Sequence, residues 1–144
     1  MTAPSSGARS LTWLVNNFVT EVPGVTDAVV VSADGMLLIA SDGLSGTKAQ
    51  QLSAVSCGVR SLAESSARLF DLGESLQTIV RTERGYLFIM TISDGSCLAT
   101  LARSGCDMRI VAYQMTLLVE SSGHILTPQL RRELRTETGA AHLP

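Results

Sequence analysis

Residues able to carry chemistry are few in this 144-residue chain, and their spacing is wrong for most of it. The two histidines, His124 and His142, both fall outside the region that the apolar pattern makes compact, so neither is placed to act as a general base. Serine is plentiful, yet no G-x-S-x-G sequence presents one as a nucleophile. Gly43-Leu44-Ser45-Gly46-Thr47-Lys48 puts glycines ahead of a lysine at a helix start. A phosphate loop needs G-x-x-x-x-G-K-[ST], so that the lysine reaches the terminal phosphates and the next hydroxyl meets magnesium. Here threonine precedes lysine and the spacing is short, which fits a capped helix; the chain is not itself a GTPase.

Asp34 and Asp94 each precede a glycine, as hairpin turns require, because aspartate and glycine tolerate positive φ. With no D-x-D-x-D loop and no His/Cys cluster beside them, neither a metal nor a cofactor is expected. Cys57, Cys97 and Cys106 are odd in number and lack C-x-x-C spacing, so they read as small core residues of a reduced, cytosolic protein. Cys106 is the exception to watch, since a helix start there would lower its pKa. Arg84, in Glu83-Arg84-Gly85, is the one arginine with the loop exposure that a catalytic finger needs; Arg60 and Arg68 belong to a helix and Arg103 to a strand end. An exposed turn charge is the plainer account of Arg84. Trp13 lies off the apolar stripe of its helix, so it borders the core or marks a contact.

These residues must be held by a framework that composition bounds. Hydrophobic residues are 45% and charged ones 17%, which excludes a disordered chain and suits one domain. Eleven basic and thirteen acidic residues give a net charge of −2, and no Lys/Arg block is interleaved with aromatics, so nucleic acid is not an expected partner. The first ten residues lack a basic region followed by an apolar one, and the longer apolar runs are broken by Ser32 and Asp34 or by Ser93 and Asp94. Neither secretion nor a membrane span is indicated.

After a loose leader over residues 1–9, Leu11, Leu14, Val15, Phe18 and Val19 recur at helical spacing behind Ser10 as N-cap. Val22-Pro23-Gly24 ends that helix, and Val25 to Ser32 with Met36 to Ser41 read as a hairpin. Thr47 and Gln50 form a capping box for a second helix to Phe70, with Leu52, Val55, Val59, Leu62 and Leu69 as core stripe and small residues on the neighbouring faces. Ser75 to Thr82, Gly85 to Ile92 and Ser96 to Arg103 read as three strands, the first polar enough for a sheet edge and the second apolar on both faces. Met108, Val111, Met115 and Leu118 mark a third helix ending at Ser121-Ser122-Gly123. A short helix near 128–135 follows Thr127-Pro128, within a tail over 123–144 expected to be dispensable for folding and loose beyond Thr136. The order is helix, two strands, helix, three strands, helix, which is an α+β class with an antiparallel sheet carrying helices on its faces.

Over residues 10–122 the sequence resembles the Roadblock / dynein light chain family in its bacterial form. The resemblance rests on Leu11-Thr12-Trp13-Leu14, Pro23-Gly24-Val25-Thr26-Asp27-Ala28-Val29-Val30-Val31-Ser32, Asp34-Gly35-Met36-Leu37-Leu38-Ile39-Ala40 and the Ser/Ala-rich second helix. Ala102-Arg103-Ser104-Gly105-Cys106-Asp107-Met108 with Val111-Ala112-Tyr113-Gln114-Met115 looks like the family's approach to its last helix. Leu126-Thr127-Pro128-Gln129-Leu130-Arg131 looks like the tail of members found in bacterial conservon operons, beside a sensor kinase-like protein and a small Ras-like GTPase. The resemblance implies a five-stranded antiparallel sheet, homodimerisation through the second helix and an edge strand, and regulation or scaffolding of a GTPase.

On that basis the expected dimer interface comprises Ala49, Ser53, Ser56, Cys57, Arg60, Ala63 and Ala67 on the helix with Gln77, Ile79 and Arg81 on the strand. Small side chains there would admit a symmetry-related helix, and the strand has no proline to block pairing. The expected protein is a non-catalytic, cytoplasmic binding module that regulates or scaffolds a small Ras-like GTPase, reaching a membrane only through its partners. Stimulation of hydrolysis would then come from positioning the enzyme's own groups. A small-molecule sensor and a purely structural dimerisation module are the alternative classes.

Overall fold

Ala8, Leu11, Val15 and Phe18 recur every three or four residues, and this stripe is buried along α1, Ser6–Glu21. Ser5, not Ser10, is the N-cap, its hydroxyl accepting the Ala8 amide at 3.2 Å. The leader expected over 1–9 is thus helical from Ser6, because Ala8 extends the apolar stripe by a turn into the core. The computed structural model describes residues 3–141; the expected leader's first two residues, His142 and the end of the tail expected to be loose lie outside the described residues.

The hairpin β1 (Val25–Val31) and β2 (Leu37–Ala40) precedes α2 (Gly46–Leu69), and β3 (Gln77–Arg81), β4 (Gly85–Thr91) and β5 (Cys97–Arg103) follow it. Two helices close the chain, α3 (Met108–Ile125) and α4 (Pro128–Ala141). The strands form one antiparallel sheet in the order β2-β1-β5-β4-β3, so β2 and β3 are its edges. This is the expected α+β architecture with a five-stranded sheet.

Strand alternation sends Ala28, Val30, Leu38, Phe88 and Leu98 to one face, where α1, α3 and α4 pack, and Val29, Val31, Leu37, Ile89, Cys97 and Ala99 to the other, beneath α2. Both faces of the central strands are therefore dry. Glycine permits two close approaches: a Cβ on Gly24, where φ is +88°, would lie 2.6 Å from Cys106 Cβ, and one on Gly123 would lie 2.6 Å from Ser93 Oγ. Gly123 consequently does not end α3, as its type suggested, but lets the helix press on the β4–β5 turn and continue to Ile125.

Three further expectations are corrected. The cap of α2 is Ser45, which accepts the Lys48 amide, and not Thr47. Of the stripe assigned to its core, Leu52 is buried, while Val55, Leu62 and Leu69 are exposed. The closing helix runs on to Ala141, and Leu126, Leu130 and Leu134 belong to the same buried cluster as Leu11 and Phe88, so the tail is part of the core.

Candidate functional site

The surface that stands out follows from how α2 is seated. Ala49, Ser53, Ser56, Arg60 and Ala67, spaced by three, four or seven residues, are buried against the sheet. The strands beneath already supply branched side chains such as Val29, Val31 and Ile89, and α2 meets them mostly with small residues, Leu52 and Arg60 being the large ones it buries there. Val55, Leu62 and Leu69 are left pointing outward: Leu62 is 74% exposed and Leu69 79%. Phe70 at 72%, Leu72 at 70% and Leu76 at 76% continue the exposed run through the segment that leads to β3. There Ile79 is exposed between Gln77 and Arg81, while Thr78 and Val80 turn inward. Because β3 pairs only with β4 among the described residues, its outer backbone groups make no ladder there. An apolar run of this size beside an open strand edge is the signature of a protein contact.

The expected interface residues divide accordingly. Gln77, Ile79 and Arg81 lie on the exposed face of the edge strand, and Cys57 and Ala63 are half-buried on α2. The other five point into the protomer. Sequence reasoning assigned Val55, Leu62 and Leu69 to the core and so missed the residues that α2 presents outward.

Arg60 has the least expected environment. Its guanidinium is buried, with Nη1 donating to the Gly95 carbonyl at 2.8 Å and Nη2 to that of Ala33 at 3.0 Å, while Glu64 lies 3.7 Å from Nε. It therefore holds the β1–β2 and β4–β5 turns together from below. On the opposite face, Arg131 pairs with Asp94 at 2.6 Å and Arg135 with Asp34. The Ser32 hydroxyl, foremost, and Arg135 hold the Asp34 carboxyl below its usual range. Both aspartates thus serve turns, as their Asp-Gly context implied, and additionally anchor α4.

A groove of about 790 Å³ lies between the end of α2, the 70–76 segment and the end of β4, lined by Glu64, Arg68, Asp71, Glu74, Leu76 and Ile92 among others. Its rim is charged with both signs, and it adjoins the exposed apolar run. A second apolar area lies on the opposite helices, where Trp13 on α1 is 63% exposed and Ile110, Tyr113 and Leu117 on α3 are exposed. Trp13 thus stands clear of the core. Arg84 is exposed in the β3–β4 turn, its carbonyl accepting the Ser104 amide at 3.2 Å. No group of three or more His, Cys, Asp or Glu able to hold a metal occurs among the described residues, and His124 is exposed near the end of α3.

The cysteines are all free. Burial pushes the Cys97 thiol up to about 11. Cys106 is raised, not lowered as its place before a helix suggested: partial burial and the neighbouring Asp107 both disfavour its thiolate. Asp107 is the N-cap of α3, its carboxylate accepting the amides of Arg109 and Ile110, so the helix end is already supplied with its anion. At neutral pH, Cys97 should react with iodoacetamide at least about a hundredfold more slowly in the native protein than after unfolding, since its thiolate fraction falls by that factor. Mass spectrometry of the labelled peptides checks this; equal native and unfolded rates would contradict the buried placement.

The family model described as the Roadblock/LC7 domain matches residues 11–102. A Roadblock/LC7 domain from Streptomyces avermitilis is 35% identical over 76% of this chain and 92% of its own, with a TM-score of 0.73. MglB of Myxococcus xanthus shares the fold at 10% identity, with a TM-score of 0.76 over 87% of this chain and 93% of that one. The gliding protein MglB of Thermus thermophilus gives 0.75 at 12% identity over 87% and 94% of the two chains. No curated protein matches the chain.

Proposed function

Because the chain belongs to the Roadblock/LC7 family, we propose that it is a non-catalytic, homodimeric regulator or scaffold that binds a small Ras-like GTPase in a bacterial signalling complex. The exposed large apolar side chains of α2 and the segment after it, Val55, Leu62, Leu69, Phe70, Leu72 and Leu76, are the observation that carries the reading. A lone soluble domain rarely leaves so many large apolar side chains in water within one part of the chain. A two-fold mate supplies an identical run for it, and the unpaired edge of β3, with Gln77, Ile79 and Arg81, can extend the sheet by pairing with its own copy. Ala49, Ser53, Ser56 and Ala67 contribute indirectly, by letting α2 sit close to the sheet and turn its larger residues outward. Three free cysteines accord with a reducing cytoplasm, and among the described residues no helix is long and apolar enough to cross a membrane.

The GTPase partner comes from family membership, and the mechanism we assign is positioning of that enzyme's own catalytic groups. The groove beside α2 would be the seat of a ligand in a sensor, but its outer wall is the exposed 70–76 segment and it has no enclosed apolar interior. The test is co-expression with candidate small GTPases, pull-down in both nucleotide states, and hydrolysis assays with the wild-type protein and Arg84→Ala. Binding in at least one nucleotide state is expected, with hydrolysis changed less than about tenfold by Arg84→Ala. A loss of about a thousandfold with binding intact would identify an arginine finger and overturn the positioning mechanism. Failure to bind in either state would remove the GTPase from the reading.

A further inference from the structure

Two turns at one end of the sheet are gripped from opposite layers. The β1–β2 and β4–β5 turns touch, since a Cβ on Gly95 would lie 3.5 Å from that of Ala33. Each is stiffened internally: the Ser32 hydroxyl donates to Asp34, and the amide and hydroxyl of Ser96 both donate to Asp94 at 2.9 Å. Arg60 of α2 takes both turns by their backbone carbonyls, and Arg131 and Arg135 of α4 take the same turns by their carboxylates.

We propose that α4 is a strap whose docking is coupled, through these two turns, to the seating of α2 on the other face of the sheet. The bonds of Arg60 occupy a buried site, so a turn that shifts strands a guanidinium away from water and from its acceptors. The turns cannot move toward α4 without pulling on α2, nor follow α2 without changing the spacing of Asp34 and Asp94 that the two arginines of α4 bridge. At fourteen residues α4 is too short to persist as a free helix, so its helicity depends on how firmly it is docked. Coupling of this kind is reciprocal: whatever reseats α2 changes the docking of α4 by the same factor as the reverse. The inference does not depend on what covers the outer face of α2.

Hydrogen exchange of the full-length chain, read by mass spectrometry, tests it from both sides. Arg60→Met keeps the volume and removes the bonds to the turns. It should speed exchange in residues 128–136 by at least about fivefold, although the hydrogen bonds it removes lie at the turns. Arg131→Gln with Arg135→Gln should in turn speed exchange in residues 56–64. A folded Arg60→Met chain with unchanged exchange in α4, or a change confined to α4 in the arginine pair variant, overturns the coupling. So does an equal rise across β1 and β5, which would be plain global destabilisation. If Arg60→Met does not fold, the pair variant, whose side chains are on the partly solvated α4, decides alone.

Discussion

A chain ended after Ser122 is expected to lose cooperative folding or to melt at least about 10 °C below the full-length protein. The removed segment carries Leu126, Leu130 and Leu134, each about 95% buried, in the cluster that also holds Leu11, Val15, Leu38 and Phe88. Burying a leucine contributes about 1.5–3 kcal/mol, so the three together account for roughly 5–9 kcal/mol of gross stabilisation. A whole domain has a net stability of about 5–15 kcal/mol. Even after subtracting the cost of ordering α4, its loss is large on that scale, and it also uncovers part of the cluster that α4 shares with α1. The ion pairs of Arg131 and Arg135 go with it. Differential scanning calorimetry of the truncated chain checks this, and an unchanged melting temperature would show that the closing helix is an appendage, as its sequence alone suggested.

The second large effect concerns assembly. Leu62→Glu with Leu69→Glu should convert a dimer into a monomer, halving the mass measured by light scattering at micromolar concentration while leaving circular dichroism unchanged. Both side chains are more than two-thirds exposed in the protomer, so the substitutions cost the isolated fold little. Between two copies they would place four carboxylates in a dry apolar contact without partners, and unpaired charge in such a setting is far more costly than the leucine contact it replaces. The wild-type melting temperature should rise with concentration and that of the variant should not. A wild-type chain that is already monomeric at these concentrations would end the homodimer reading.

Much of the fold was legible because it rests on periodicity. The two Asp-Gly turns and the apolar runs of β1, β4 and β5 identify themselves, and the stripe of α1 needed only Ala8 to be complete. The face of α2 was not legible, and the reason is specific. The helix carries two stripes of helical period, one of large apolar residues and one of small residues interrupted by Arg60. Hydrophobicity assigns the first to the core, as it does for a helix with a single contact. The sheet beneath already supplies its own branched side chains, so the helix meets it mostly through the small stripe, with Leu52 alone of the large apolar residues buried there. Arg60 was the available signal: a lone arginine within a stripe of alanine and serine is out of place unless acceptors await it. The edge position and exposure of β3 were legible because they follow from local polarity, whereas the orientation of α2 depended on a sheet assembled from distant strands.

The order β2-β1-β5-β4-β3 places the first strand of the sheet beside its last. Val29 pairs with Ala99 and Val30 with Leu98, so the centre of the sheet joins residues about seventy positions apart. During synthesis the β1–β2 hairpin leaves the ribosome long before its neighbour exists, and Val29, Val30 and Val31, fully buried in the finished molecule, then stand along an open edge. The three strands from Gln77 to Arg103 form an unbroken meander that pairs locally and quickly. Pairing within each half is therefore expected to precede the long-range β1–β5 seam, whose closure spans α2. On that order the unpaired edge of β1 lasts in the nascent chain from the emergence of Val31 to that of Arg103, the interval in which aggregation is expected to compete most with folding.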